Sequence, residues 1–421
     1  MANEAVTAVL DGPEGLESVR NWQEEFYRDL HAHPELPHQE HRTAGNVAVR
    51  LREAGCEVHE GIGGTGVIGV LRNGDGPTVL LRADMDALPV RERTGLPYAS
   101  TQTTDDGTPV MHACGHDVHV TCLLGATTLM AQASRAWSGT LVALFQPAEE
   151  TADGAQGMVD DGLAALVDNV DVAMAQHVLP FPAGTVGTRS GPMLSAADSM
   201  KITVHGRGAH GSMPQAAVDP VVLAASIVMR LQTIVAREVA PSDTAVVTVG
   251  SVQAGTKSNV IPDHAVLQLN VRTYNEHTRA AVLAAIERIV RAECTASGSP
   301  EEPEFEMFDR YPLTDNDPGV TEQVATAFAD HFGDHAIDLP QQSASEDFSD
   351  IPHDLGAPYT YWGIGGIDPD AYRAAEQAGR IAQDIPVNHS ATFAPVLQPT
   401  LDTGTQALVV GALAWLRTDS P

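Results

Sequence analysis

The chain has 421 residues, 43% hydrophobic and 19% charged, enough for a sizeable core divided over two or three domains. Its formal net charge is −31, and only two of its 24 basic residues are lysines, Lys201 and Lys257. Such a chain lacks the basic footprint that nucleic acid and anionic membrane surfaces require, which excludes both as partners and leaves a solvated acidic surface, a salt-adapted one, or a field that attracts cations.

The N-terminal segment "MANEAVTAVLDGPEG" has no basic leader and only a short apolar patch, so it does not read as a secretory signal. No run approaches the roughly 18 uninterrupted apolar residues of a membrane span. The four cysteines, Cys56, Cys114, Cys122 and Cys294, are sparse and lie in unlike contexts. They suit reduced thiols in a cytoplasm better than a disulfide framework.

Helical periodicity marks "ESVRNWQEEFYRDLHAHPE" and "HRTAGNVAVRLREAG". "TVLLRAD", "GTLVALFQ" and "DVAMAQH" are short apolar strands, and "DVHVTCLLGATTLMAQASRA" between the first two is a helix. Strands alternating with helices predict an α/β domain with a mainly parallel, covered sheet. Near residue 193 the pattern changes to strand, helix, strand, strand, helix, strand, ending at "EFEMFD", which is the ferredoxin-like order. The α/β pattern then resumes through "LQPTLDTGTQALVVGALAWLRT". The expected organisation is residues 1–192 and 309–421 as one α/β domain, with 193–308 inserted as a ferredoxin-like α+β lid.

Ligands of open α/β sheets gather beyond the carboxyl ends of the strands. Three strands here end in metal-type side chains: Asp84 and Asp86 after "TVLLRA", Glu149 and Glu150 after "LFQPA", and His177 after "DVAMAQ". "MHACGHDVH" adds His112, Cys114, His116, Asp117 and His119, and "NHSATFAP" adds His389. Any one of these has an ordinary structural explanation, but several carboxylates converging on one sheet edge would repel one another without a cation. Beside a divalent cation one glutamate can bind while its neighbour takes a proton from water acidified by the ion. This reading makes Glu150 a ligand and Glu149 the general base.

"RADMDALP", "MHACGHD", "QPAEE", "GRGAHGSMP", "SNVIP", "SEDF" and "NHSATFAP", in this order, resemble the peptidase M20 family of metallohydrolases. More narrowly they resemble its amidohydrolase branch, subfamily D, which comprises N-acyl-amino-acid hydrolases, hippurate hydrolases and auxin-conjugate hydrolases. The resemblance implies two divalent metal ions held by Cys114, His116, Glu150, His177 and His389, with Glu149 as general base. Zinc or manganese is expected, with cobalt or nickel as alternatives; the sequence leaves open which ligand bridges the ions. Sister branches carry a His-x-Asp motif where this chain reads "DMD", which puts Asp84 in a ligand's place and Asp86 in that of a carboxylate orienting a metal-bound histidine; the Cys-Gly-His run compensates in the amidohydrolase branch, so Asp84 is not among the expected ligands.

Further resemblance implies that His210 stabilises the oxyanion, reaching a partner subunit's site in dimeric relatives, and that Asn259 binds substrate. Arg272 in "LNVRT" is a candidate partner for a substrate carboxylate, with a pairing inside the sheet as the alternative. Gly363, Gly365 and Gly366 of "YWGIGG" are candidates to let backbone amides approach that carboxylate, and Glu346 and Asp347 are expected behind the ligands. The implied reaction is hydrolysis of the amide of a small N-acyl or N-aroyl amino acid by a homodimer joined through the lid. The alternatives are a dipeptidase, an aminopeptidase or an N-carbamoyl-amino-acid hydrolase of the same family, and, from another class, a non-catalytic metal-dependent binding protein.

Overall fold

Four apolar segments form the centre of the larger unit. In the computed structural model, which describes residues 2–12, 14–167 and 169–416, Gly139–Gln146, Thr78–Asp84, Val172–Pro182 and Tyr359–Ile367 lie side by side in that order, all parallel. Three of them, Thr78–Asp84, Gly139–Gln146 and Tyr359–Ile367, are buried along their whole length, as their unbroken apolar character requires. Antiparallel pairings flank them, to Gly66–Asn73 and then Glu57–Ile62 on one side and to Val186–Thr188 on the other, with Ala336–Asp338 beyond it parallel to Val186–Thr188. The sheet is thus eight-stranded and mixed around a parallel centre. The sequence reading missed the hairpin Glu57–Asn73, whose turn is glycine-rich.

Helix His116–Gln132 is buried on nearly every side and packs against Leu16–Ala32 and Leu397–Leu413. Its all-round apolar surface follows from this position between sheet and outer helices. Each fully buried Leu or Val contributes about 1.5–3 kcal/mol, and Leu80, Leu81, Leu141 and Leu144 on adjacent central strands are all 0% exposed. Because the four central strands are parallel, their carboxyl ends share one edge. Asp84 stands level with Gln146, and His177 with Gly363.

The chain divides into two compact units, Met1–Met193 with Asp315–Gln341 and Asp347–Pro421, and Leu194–Thr314 with Gln342–Glu346. The smaller unit therefore closes later than position 308, because its last strand runs Glu304–Tyr311, past "EFEMFD". It also takes in Gln342–Glu346: Ser195 N–H donates to Ala344 O at 2.9 Å, and Tyr274 Oη donates to Gln342 O at 2.9 Å.

Within the smaller unit the strands run Ala245–Ala254, His264–Thr273, Ala196–His205, Glu304–Tyr311, each antiparallel to its neighbour. Helices Pro220–Arg237 and Glu276–Ser297 begin at Asp219 and Asn275, whose side chains accept from Val221 N–H and Thr278 N–H. Pro220–Arg237 is the one described helix long and apolar enough to cross a membrane, with a mean hydropathy of 1.4. Here its Leu223, Ile227, Leu231 and Ile234 are buried in this unit's own core.

Candidate metal centre

Gln146 ends its strand, and after Pro147 the chain turns sharply at Ala148, with φ 51° and ψ 42°, into a three-residue 3-10 turn from Glu149 to Thr151. A side chain in this left-handed region costs about 1–2 kcal/mol and persists where neighbours over-determine it. Two buried carboxylates do so: Ala148 N–H donates to Glu40 Oε1, and Glu150 N–H to Asp86 Oδ2, both at 2.9 Å.

His116 begins its helix from Gly115, whose φ is 88°. A Cβ there would lie 2.3 Å from Val178 Cγ1, so Cys-Gly-His needs glycine both for the turn and for the approach of the next strand. His177 Nδ1 donates to Val178 O at 2.8 Å, which places its lone pair on Nε2, 3.3 Å from Cys114 Sγ. His389 is tied in by its own N–H, which donates to Ala113 O at 2.8 Å. Asn388 Nδ2 donates to both Cys114 O and Val178 O at 3.1 Å, joining the loops that carry Cys114, His177 and His389.

The five side chains meet. Cys114, His116 and His177 hold donor atoms within 4.8 Å of one another, as do Cys114, Glu150 and His389, so the two groups share Cys114. His389 Nε2 lies 3.2 Å and His116 Nε2 4.0 Å from Glu150 Oε1. Glu149 Oε2 lies 3.9 Å from His116 Nε2 and belongs to neither Cys114-containing group. Asp86 Oδ1 stands 3.1 Å from His116 Nδ1, which aims Nε2 inward. Two of these inward atoms, His116 Nε2 and Glu150 Oε1, are buried without a hydrogen-bond partner among the described residues. Such atoms ordinarily cost about 1–3 kcal/mol each, which a ligand to both would recover.

The electrostatics agree. Burial alone would lower the His116 imidazole, but Asp84, Asp86 and Glu150 outweigh it and hold the ring at about 10. Burial drives the Cys114 thiol far up, and Glu150 and Glu149 add to the shift. His177 is pushed well down by burial and by His119 and His116. The acids beside His116 thus favour positive charge there, and the centre is rimmed by imidazole, thiol and carboxylate donors, a set that fits divalent cations.

The rest of the motif faces elsewhere. His119 Nε2 accepts from Val178 N–H at 2.8 Å and its Nδ1–H meets Asp84 Oδ1 at 2.5 Å. Asp84 Oδ2 accepts from Arg82 Nη1 at 2.7 Å. Asp117 Oδ2 pairs with His31 Nδ1 at 2.7 Å. His112 is buried with neither ring nitrogen partnered among the described residues, and burial lowers it to about 4. Sequence reasoning missed Glu40, Arg82, His31 and Asn388. Only Asn388 carried a signal, its place beside His389.

In the smaller unit His210 pairs with Val260, and Asn259 O accepts from Gly211 N–H at 2.8 Å, so His210 and Asn259 are neighbours. Ser212 N–H donates to His210 Nδ1 at 3.1 Å, which puts the ring proton on Nε2 of this exposed imidazole. Arg272 Nη1 donates to Ser343 O at 2.9 Å and Ser345 Oγ at 3.0 Å, while Nη2 has no hydrogen-bond partner among the described residues. Gly365 is a correction: its N–H donates to Thr185 O at 3.0 Å, and a Cβ would stand 1.9 Å from Pro182 O. Close strand packing, not an offered amide, explains this glycine.

Comparison with known proteins places these residues in a family. The family model of peptidase family M20/M25/M40 matches residues 80–387. Thermostable carboxypeptidase 1 of Saccharolobus solfataricus is 37% identical over 352 residues, 82% of this chain and 86% of that one. The hippurate hydrolase of Campylobacter jejuni is 39% identical over 329 residues, 77% and 83% of the two chains. The solved structure of the Bacillus subtilis YXEP protein, a dinuclear metal binding peptidase of the M20 family, superposes with a TM-score of 0.77 at 29% identity, covering 94% of this chain and 98% of that one. The chain belongs to the peptidase M20 family, within its amidohydrolase branch, and is a metallo-amidohydrolase.

Proposed function

We propose that this amidohydrolase cleaves the amide of N-acyl or N-aroyl amino acids, with Glu149 as general base and Cys114, His116, Glu150, His177 and His389 as the ligands of two divalent ions. The observation that carries the reading is the pair of donor groups sharing Cys114, with the Glu149 carboxylate beside them and in neither. Cys114 is the residue common to both groups, and it would hold an ion together with the other four. Bound cations would supply Lewis acidity, for the acyl carbonyl and for water.

The chain's own residues do the rest. Glu149 takes the proton of the attacking water and returns it to the leaving amine nitrogen. Asp86 fixes the His116 ring through Nδ1 and the Glu149–Glu150 turn through Glu150 N–H. His210, with its proton on Nε2, suits donation to the oxyanion, and Asn259 beside it suits substrate binding. The Nη2 of Arg272 is the candidate donor to a substrate carboxylate.

The smaller unit, Leu194–Thr314 with Gln342–Glu346, acts in this reading as a lid that joins two copies. Helix Pro220–Arg237 exposes Val222 at 62% and Met229 at 72%, and the edge strand Ala245–Ala254 exposes Val246 and Val252. An apolar face beside an unpaired strand edge suits a second copy. All four cysteines are free and buried, which suits a reducing, cytoplasmic setting.

Glu149→Gln tests the reading. Turnover of an N-acyl amino acid should fall by at least about 100-fold, with two metals per chain still measured by mass spectrometry. Near-native turnover would remove Glu149 from its role. The resemblance to a carboxypeptidase favours a second reading, hydrolysis of peptides. Rates on N-acetyl, N-benzoyl, N-carbamoyl and dipeptide substrates separate the two.

A further inference from the structure

We propose that Glu40 is a positioning residue for the general base, acting through the Ala148 amide; this rests on the assignment of Glu149 above. Glu40 is fully buried and stands at the N-cap of helix His41–Glu53, but its side chain makes no capping bond to that helix. Glu35 caps that helix instead, accepting from Arg42 N–H at 2.9 Å and Thr43 N–H at 2.8 Å.

The Glu40 carboxylate turns the other way. Its Oε1 accepts from Ala148 N–H at 2.9 Å and His38 N–H at 3.0 Å, and its Oε2 accepts from Thr65 Oγ1 at 2.6 Å. Ala148 is the left-handed residue immediately before Glu149, so the bond fixes the Pro147–Ala148 peptide at the start of the turn that carries the base. The same short segment grips the neighbouring loops. Glu35 O accepts from Ala87 N–H at 2.8 Å, next to Asp86, and His38 Nε2 lies 3.0 Å from Asp153 Oδ1, just past the turn. Residues 35–40 thus brace the Asp86 loop and the Glu149 turn together, with Glu40 as the inner contact.

The role is geometric, so it predicts a particular pattern of kinetics. Glu40→Ala removes the acceptor, and kcat should fall about 10- to 100-fold, the cost of a misplaced catalytic group, while KM and the two bound metals change little. Glu40→Gln keeps an oxygen toward Ala148 and His38 and presents its amide to Thr65 Oγ1, so it should restore kcat to within about threefold with the pH profile of the native enzyme. If Glu40→Ala does not fold, Glu40→Asp, one methylene shorter, should show the same loss of kcat with metals retained.

Three results would each overturn the proposal: native kcat in folded Glu40→Ala or Glu40→Asp, loss of metal in step with activity, or Glu40→Gln as impaired as Glu40→Ala with a displaced acid limb. The Glu149→Gln variant is assayed alongside. If it stays active the base assignment fails; if it is inactive while Glu40→Ala is native, only the positioning role fails.

Discussion

Arg82→Met is the sharpest test of what holds the site's foundation. Arg82, Asp84 and Asp347 all have side chains 0% exposed. The guanidinium donates from Nε to Gln146 Oε1 at 2.8 Å and from Nη1 to Asp84 Oδ2 at 2.7 Å, with Nη2 3.4 Å from Asp347 Oδ1. It also lies over the Phe348 ring, 5.9 Å from the centroid. Burial would raise the Asp84 carboxyl, but His116, His119 and Arg82 hold it well below the usual range. Methionine fills most of the arginine's volume and offers no donor. Removing one partner of a buried ion pair strands the other, at about 3–5 kcal/mol. Urea unfolding followed by tryptophan fluorescence should show a loss of that size, and adding Asp84→Asn should recover about 1–3 kcal/mol by removing the stranded charge. A cost near that of a surface pair, below about 1 kcal/mol, or no recovery in the double variant, would refute the neutralisation of Asp84 by Arg82.

Other consequences follow from charge and exposure. His31 sits between Asp117 and Glu92 at 2.7 and 3.1 Å; burial lowers it, but the two carboxylates prevail and raise it to about 9. A raised folded-state value stabilises fully below the unfolded value near 6.5 and is lost as pH climbs through 9, so the deficit of His31→Gln in unfolding free energy should shrink by about 3 kcal/mol between pH 6 and 9.5. A pH-independent deficit would show that His31 is neutral. With a net charge of −31 the fold repels itself, and shortening the Debye length from about 10 to 3 Å by raising salt from 0.1 to 1 M should lift Tm by at least about 5 °C; an unchanged Tm in calorimetry contradicts this. If two copies join through the smaller unit as proposed, Met229→Glu on its helix Pro220–Arg237 should shift sedimentation from dimer to monomer, and a dimer that persists would refute that interface.

What could be read from the sequence was what local pattern encodes. Thr78–Asp84 and Gly139–Gln146 are unbroken apolar runs, so their strand character and the carboxylates beyond them were visible together. Residue types that suit metal at a sheet edge made Asp84, Asp86, Glu149, Glu150, His177, His389 and the Cys114–His119 run stand out, and the resemblance to the M20 family narrowed the ligands to Cys114, His116, Glu150, His177 and His389. Arg82 and Glu40 did not, since their meaning lies in pairings 265 and 108 residues away, with Asp347 and Ala148. Gly365 was misread for a related reason. A glycine permits close approach, but the sequence does not say by what, and here it is Pro182 O. The segment Gln342–Glu346 joined the smaller unit through bonds to Ser343 and Ala344 carbonyls, which no periodicity announces.

The buried acids around the centre also explain why an acidic sheet edge is tolerable. Asp84 and Asp347 face the Arg82 guanidinium, and Asp117 and Glu92 face His31, so these four are compensated by cations of the chain. Glu40 and Asp86 accept backbone N–H groups from Ala148 and Glu150, which neutralise by dipoles and at the same time shape the turn. Glu150 is different: its buried Oε1 has no hydrogen-bond partner among the described residues and looks toward His116 and His389. A fold able to place Arg82 and His31 beneath its other acids has no steric need to leave this oxygen open. In the proposed function this difference in treatment marks Glu150 as the carboxylate that a cation from outside the chain would balance, with Glu149 the adjacent residue.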